Sequence, residues 1–147
     1  MPHFSLQVSQ SGPIIDAIVG VSIARRAALV AAGQTVPAAV QIRALLDTGA
    51  SNTAIDPVVL TSLSLTPTGT VLVSTPTTGA APQIVSQYDV GFMIPGPTGG
   101  APLLSQTLPV IASELFAAQG FHALIGRDIL SQCVFMYNGN GFFTLAY

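Results

Sequence analysis

The chain has 147 residues, of which 50% are hydrophobic and 7% are charged, and its formal net charge at pH 7 is −2. A chain of this length is expected to form one domain around a hydrophobic core. Its four basic residues, all arginine, are too few to form the clustered positive charge that nucleic acids require, so no nucleic-acid partner is expected. A chain this apolar is expected to cover part of its apolar surface, and self-association is the simplest way to do so.

The sequence also lacks the marks of secretion or membrane insertion. Residues 1–5 have neither the basic region nor the apolar stretch of a signal peptide. The longest apolar run, residues 14–24, contains Asp16 and is too short to span a bilayer. We therefore expect a soluble, cytoplasmic protein without a membrane partner. Cys133 is the only cysteine, so no intrachain disulfide can form.

Strands are predicted along most of the chain. Short runs of Val, Ile, Thr and Leu are separated by Gly and Pro, which is typical of a β domain. In chain order the predicted strands are residues 4–8, 14–22, 37–46, 70–74, 84–94, 103–111, 133–137 and 142–147. Pro109 predicts an edge position for its strand, because proline cannot donate a ladder hydrogen bond. The sequence Asn-Gly-Asn-Gly at 138–141 predicts a hairpin between the last two strands.

Short helices are predicted between some of these strands. Residues 24–32, followed by Gly33, fit a helix with a glycine C-cap, and they fit a connecting loop equally well. Asp56 and Pro57 predict a helix start, since aspartate suits the N-cap and proline the first helical position. Residues 113–119 predict another short helix, which ends at Gly120. We find no internal repeat and no long linker, so residues 1–147 are expected to form a single domain.

Two motifs carry chemical information. In Leu45-Leu46-Asp47-Thr48-Gly49-Ala50-Ser51, an apolar strand delivers an aspartate onto a turn that glycine permits. On its own, Asp-Thr-Gly also fits an ordinary turn after a strand. The second motif spans residues 123–130, Ala-Leu-Ile-Gly-Arg-Asp-Ile-Leu, and it reads as an apolar strand, a glycine and a polar pair that opens a helix. The two motifs together are more specific than either one alone.

In these motifs and their order, residues 14–147 resemble the retropepsin family, the retroviral-type aspartic proteases and their cellular and bacterial relatives. That family has an apolar pair before Asp-Thr-Gly-Ala/Ser, then a flap hairpin, then an apolar pair before Gly-Arg-Asp/Asn-apolar-Leu. The resemblance implies an all-β acid protease fold, a closed β-barrel with one or two short helices and one lobe per chain. It also implies an aspartic endopeptidase, a hydrolase that acts on peptide or protein substrates without a metal or cofactor.

This chemistry needs two carboxyl groups. One takes a proton from water while the other gives a proton to the amide, and two carboxyl groups held close share one proton because like charges repel. The chain has one Asp-Thr-Gly, and none of its other acids lies in a second one. These other acids are Asp16, Asp56, Asp89, Glu114 and Asp128. We therefore expect Asp47 to meet Asp47 of a second copy in a homodimer, with highest activity at acidic to mildly acidic pH.

The resemblance assigns further roles within the first motif. Thr48 would donate its hydroxyl across the dimer axis, and Gly49 would present its carbonyl to the substrate, so both join Asp47 in the catalytic set. Ala50 and Ser51 would line the cleft. Separately, the apolar composition of the chain predicts that the cleft favours apolar substrate residues.

Within the second motif, Gly126, Arg127 and Asp128 would support the structure. Retroviral members often have an aspartate at the position of Ser51, paired with the arginine that matches Arg127. Serine cannot form that ion pair, so Asp128 or backbone carbonyls are alternative partners. We favour a fold-stabilising hydrogen-bond donor as the role of Arg127, and a helix cap as that of Asp128.

The region at about 70–94 is expected to be the flap. Its tip, residues 75–81, is small and polar, as suits a mobile lid, and its backbone would hold an extended substrate. The predicted substrate-binding residues of the tip are Thr77, Thr78, Gly79 and Ala80. An ordinary exposed hairpin is the alternative. Residues 4–8 and 142–147 resemble strands that the family interleaves between subunits, although each could instead pair within its own chain.

Two other functions fit the sequence less well. A retropepsin-like domain could act without catalysis as a dimerisation or peptide-binding module and keep Asp-Thr-Gly for structural reasons. A structural all-β protein would lack a cleft, and the paired motifs argue against it. His3 and His122 have no metal-ligand spacing, and Cys133 has no partner, so structural roles are expected for all three.

Overall fold

The structure is a computed structural model that describes residues 1–75, 78–114 and 117–147. Its strands are β1 (His3–Gln7), β2 (Ile14–Val21), β3 (Val40–Leu46), β4 (Ala54–Ile55), β5 (Gly69–Val73), β6 (Gln83–Ile94), β7 (Leu103–Ala112), β8 (Ala123–Ile125), β9 (Val134–Asn138) and β10 (Phe142–Ala146). Its helices are α1 (Ile23–Ala31), α2 (Pro57–Ser62) and α3 (Arg127–Leu130), with a 3₁₀ turn at Ala117–Gln119.

Six strands close into a barrel in the order β2-β3-β8-β4-β7-β6, because β6 pairs back with β2. The pairs β3–β8 and β4–β7 are parallel, and the others are antiparallel. Alternate residues of the barrel strands are buried, as expected when one face of each strand points inward. On β2 and β6 these buried residues are Ile15, Ala17, Val19, Val90, Phe92 and Ile94. The predicted closed all-β barrel is therefore confirmed.

Strand β6 belongs both to the barrel and to a hairpin with β5. Residues 87–94 pair with β7 inside the barrel, whereas residues 83–87 pair with β5. Strand β5 has β6 as its one partner among the described residues, so the β5–β6 hairpin extends from the barrel. Pro109 lies opposite Asp89 on β7, and β4 joins the other side of β7 further along, at Ile111 and Ala112. The edge prediction is therefore wrong for the strand, because β7 lies between β4 and β6, although in the described structure Pro109 itself has no pairing partner on the β4 side.

The two chain ends form a second sheet, in the order β1-β10-β9. Phe143 and Leu145 of β10 point into the same core as the barrel strands and are fully buried. The sequence left open whether the end strands pair within one chain or between subunits. In the structure they pair within the chain, with β1 on one edge of β10 and β9 on the other. The predicted β9–β10 hairpin is present. Gly141 at its end has a φ of 88° and donates a backbone hydrogen bond to Asn138.

Side chains cap the first turns of α1 and α2. Residues 23–31 form a helix rather than a loop, because the Ser22 hydroxyl accepts a hydrogen bond from the Arg25 amide, and Gly33 follows with a φ of 66°. The predicted start of α2 is confirmed, with Asp56 as its N-cap. Of the predicted helix 113–119, residues 115 and 116 lie outside the described part, and a 3₁₀ turn covers Ala117–Gln119. In the described part of the chain, no helix has the length and apolar character to span a membrane.

We expect Asp56→Ala to lower the free energy of unfolding by about 1 kcal/mol, the usual cost of losing an N-cap. Asp56 is buried, and its Oδ1 accepts a 2.9 Å hydrogen bond from the Val58 amide, which alanine cannot replace. Urea denaturation measures the effect. Asp56→Asn is the control, because its amide oxygen can still accept this hydrogen bond. Equal stability of wild type and Asp56→Ala would show that the cap contributes nothing here.

Candidate active site

The Asp47 loop, residues 47–53, joins β3 to β4, and these two strands flank β8. The loop therefore has to pass over the end of β8. The backbone amide of Asp47 donates a 3.0 Å hydrogen bond to the carbonyl of Ile125, the last residue of β8. This geometry fixes the aspartate at the mouth of the barrel, on the side where β3 and β8 both end.

Gly126 is required where the loop crosses the chain after β8. A Cβ atom at this position would lie 2.6 Å from the carbonyl carbon of Asn52, which is closer than atoms can approach. Two backbone hydrogen bonds then attach the start of α3 to the loop: the Arg127 amide donates to the carbonyl of Ala50, and the Asp128 amide donates to that of Ser51. The glycine of the second motif therefore allows α3 to pack directly on the Asp47 loop.

The Asp47 side chain is half-buried and bent back onto its own loop. Its Oδ1 accepts a 2.8 Å hydrogen bond from the Gly49 amide, a local turn that aspartate commonly forms. Its Oδ2 has no hydrogen-bond partner among the described residues, and the neighbouring Thr48 and Gly49 are exposed. The carboxylate is thus held by one oxygen and can accept a proton from water through the other. A single carboxylate does not supply the general acid that amide hydrolysis also needs.

The Arg127 side chain is hydrogen-bonded to the Asp47 loop. Its Nη1 donates to the carbonyl oxygens of Thr48 and Gly49 at 2.8 and 3.2 Å, and its Nη2 donates to the Ser51 hydroxyl at 2.8 Å. Of the partners considered for Arg127, the structure shows backbone carbonyls and not Asp128. The Ser51 hydroxyl gives the guanidinium an uncharged acceptor where an aspartate would form an ion pair.

Asp128 does not cap α3, so that prediction is wrong: the N-cap position is Gly126, and Asp128 lies within the first turn. Its carboxylate binds Thr53, whose amide donates to Oδ2 and whose hydroxyl donates to Oδ1, both at 2.8 Å, and Oδ1 also accepts a 3.0 Å hydrogen bond from the Ile129 amide in the first turn. The physical reason is the close packing of the loop on α3, which brings a buried hydroxyl within reach of the carboxylate.

The sequence interpretation missed Thr53. It has no solvent exposure, and its Oγ1 also accepts a 3.2 Å hydrogen bond from the Gly126 amide. Thr53, the last residue of the Asp47 loop, therefore links this loop to Gly126 and Asp128 of the second motif. A threonine before an apolar pair gives no local signal of this role, because its partner Asp128 is 75 positions away in the chain.

The tip of the β5–β6 hairpin is partly described. Thr77 lies outside the described residues. The Thr78 hydroxyl donates to the carbonyl of Thr75 at 2.9 Å and accepts from its amide at 2.8 Å, so it closes a turn. Gly79, with a φ of 58°, and Ala80 are exposed. No hydrogen bond among the described residues joins the tip to the Asp47 loop, and substrate binding by the tip stays a prediction.

Other reactive groups among the described residues do not form a competing site. Burial raises the pKa of the Cys133 thiol, which keeps it protonated and unsuited to nucleophilic attack. Its Sγ lies 3.7 Å from the carbonyl oxygen of Ile129. Within the described ranges, no group of three or more His, Cys, Asp or Glu residues could hold a metal ion.

Solved structures share this architecture. The chain is similar to a retropepsin-like aspartic protease from Rickettsia conorii, with a TM-score of 0.59 and 15% sequence identity over 99% of this chain and 90% of that one. It is also similar to the simian foamy virus (mac) protease, with a TM-score of 0.45 and 16% identity over 81% of this chain and 92% of that one. No protein-family model and no curated protein matches the sequence. The likeness to the rickettsial protein identifies the fold.

Proposed function

Because the chain has the retropepsin-like fold, we propose that it is an aspartic endopeptidase whose active site forms between two copies, with one Asp47 from each. The proposal rests on the hydrogen bonding of the Asp47 carboxylate and the exposure of its loop. One carboxylate oxygen is fixed by the Gly49 amide, the other is open, and the loop that holds it is exposed at the barrel mouth. A second carboxylate from a symmetric copy would supply the missing acid.

The reaction follows from two carboxyl groups that share one proton. The ionised Asp47 takes a proton from a water molecule, and the oxygen of that water attacks the amide carbon. The protonated Asp47 of the other copy gives its proton to the substrate carbonyl oxygen. The first Asp47, which now carries the proton taken from water, donates it to the departing amine as the C–N bond breaks, and a hydroxyl of the tetrahedral intermediate returns a proton to the other Asp47 as the acid product forms. Neither a covalent intermediate nor a metal is needed for this sequence of steps.

Gly49 is suited to bind the substrate backbone. Its carbonyl accepts one hydrogen bond from Arg127, and a carbonyl oxygen has two acceptor positions, so one remains available for a substrate amide. We further propose that the β5–β6 hairpin, within the single domain 1–147, acts as the flap. Leu72 and Ile84 face each other across its strands at 68% and 72% exposure, and a bound apolar peptide would cover such a pair.

A peptide library tests the function directly. The purified chain is incubated with the library at acidic and neutral pH, and internal cleavage products are identified by mass spectrometry. The proposal expects cleavage within peptides, strongest at acidic to mildly acidic pH. Peptide binding without any cleavage across this pH range would favour the binding-module alternative instead.

We expect Thr48→Val to weaken dimerisation and activity together. The Thr48 side chain is exposed and its hydroxyl makes no hydrogen bond within the described residues, so it is available to a second copy. Losing one such hydrogen bond in each subunit should raise the dimer dissociation constant by roughly ten- to a hundredfold. Sedimentation velocity over a concentration series measures this constant. Thr48→Ser, which keeps the hydroxyl, is the control, and an unchanged constant for Thr48→Val would refute the role.

A further inference from the structure

Arg127 carries a positive charge that no carboxylate of the described residues balances by an ion pair. Its three hydrogen-bond acceptors are two carbonyl oxygens and the Ser51 hydroxyl, all uncharged. The neighbouring Asp128 directs both carboxylate oxygens at Thr53. Arg127 and Ser51 are both exposed. A full positive charge is therefore displayed at the surface of the Asp47 loop.

The same contacts fix the guanidinium and leave part of it unused. A guanidinium has five N–H groups. The hydrogen bonds of Arg127 engage Nη1 and Nη2 but not Nε, so at least two N–H groups, that of Nε among them, have no acceptor in the described structure. Because the group is already held in place, binding a ligand costs it little rotamer freedom. A planar, fixed guanidinium with free donors is suited to a carboxylate.

This guanidinium lies close to the reacting group. Nη1 is within 3.2 Å of the backbone oxygens of the two residues that follow Asp47. An extended peptide advances about 3.3 Å per residue. A substrate side chain a few residues from the bond that Asp47 attacks can therefore reach the free N–H groups. Of the four arginines in the chain, Arg127 is the one whose side chain hydrogen-bonds to this loop in the described structure.

We propose that Arg127 is a specificity-determining residue, which binds the carboxylate of an Asp or Glu side chain a few residues from the cleaved bond. The inference rests on the proposed function and adds a substrate class to it: extended peptides with an acidic residue on one side of the bond. This role requires an uncharged side chain at position 51, as Ser51 provides, because a carboxylate there would neutralise the guanidinium before a substrate arrived.

Matched peptides test the preference. One cleaved peptide is prepared with Asp or Asn, and with Glu or Gln, at each position around the bond, with acetylated and amidated ends so that the side chain is the sole carboxylate. At one position we expect kcat/KM to be about three- to fivefold higher for the acid than for its amide, and the ratio to fall towards one as ionic strength rises. Neutral peptides with free and amidated C-termini show whether a terminal carboxylate can replace the side chain.

Two variants then assign the preference to Arg127. Ser51→Asp places a carboxylate beside the guanidinium, and Ser51→Asn places an uncharged side chain of the same size there. We expect the ratio of acidic to neutral kcat/KM to fall to about one in Ser51→Asp and to persist in Ser51→Asn. The ratio is taken within each variant, so it does not depend on the absolute activity that either variant retains.

The outcomes separate this inference from the proposed function. Absence of any cleavage by the wild type would overturn the proposed function. Cleavage with equal rates for acidic and neutral peptides at every position would overturn the inference alone. So would a preference that Ser51→Asp leaves unchanged, or a preference confined to free C-termini.

Discussion

Asp47→Asn is expected to lower kcat for peptide cleavage by at least about 10³-fold, because each active site then loses both its general base and its general acid. The fold should survive this change. The asparagine Oδ1 can still accept the hydrogen bond that Asp47 receives from the Gly49 amide, so the loop keeps its turn. Single-turnover cleavage of one fluorescent peptide measures the effect, with circular dichroism to verify the fold.

Asp16→Asn is the matched control for this experiment. Asp16 is exposed on β2, and its replacement makes the same change of charge without touching the Asp47 loop. The control should retain wild-type kcat. Undiminished cleavage by Asp47→Asn, or an equal loss in both variants, would refute the assignment of Asp47.

Thr53→Val should lower the free energy of unfolding by about 2–4 kcal/mol, more than Asp56→Ala does. Valine has nearly the same shape, but it removes the hydroxyl that donates to Asp128 and accepts from Gly126. The buried amide of Gly126 then has no hydrogen-bond partner, and the Asp128 carboxylate loses one of its donors. Each of these losses costs about 1–3 kcal/mol. Because this network joins the Asp47 loop to the second motif, its loss should also displace the loop and lower activity.

Urea denaturation followed by fluorescence or circular dichroism measures this change. Thr53→Ser is the control, because serine keeps the hydroxyl and loses only a methyl group, for about 1 kcal/mol. We therefore expect the order wild type, Thr53→Ser, Thr53→Val in decreasing stability. If valine were tolerated as well as serine, the hydroxyl network would contribute nothing to stability.

Much of the barrel could be predicted from the sequence because its signals are local. Runs of β-branched residues bounded by glycine and proline mark the longer strands, and Asp56-Pro57 marks the start of α2. Strand β4, with two residues, was not predicted, because two residues carry no periodicity. Its existence depends on β7 and β8, which pair with it from distant parts of the chain.

The candidate site divides in the same way. Asp47 and Gly126 stand out because an apolar strand precedes each of them and each lies within a short motif that can be recognised locally. The Thr53–Asp128 pair could not be found in this way, since it forms only after the loop has crossed β8. The choice of β1 as partner for β10 is likewise non-local, and the sequence alone left pairing within and between subunits open.

The most direct test of the shared active site is subunit mixing. Wild-type protein at fixed concentration is mixed with a ninefold excess of Asp47→Asn protein, and cleavage is measured after the subunits have exchanged. If each site needs Asp47 from both copies, most wild-type subunits enter mixed dimers, and activity falls to about one tenth. Activity that stays at its starting value would show that one copy is catalytically sufficient, and this would contradict the account.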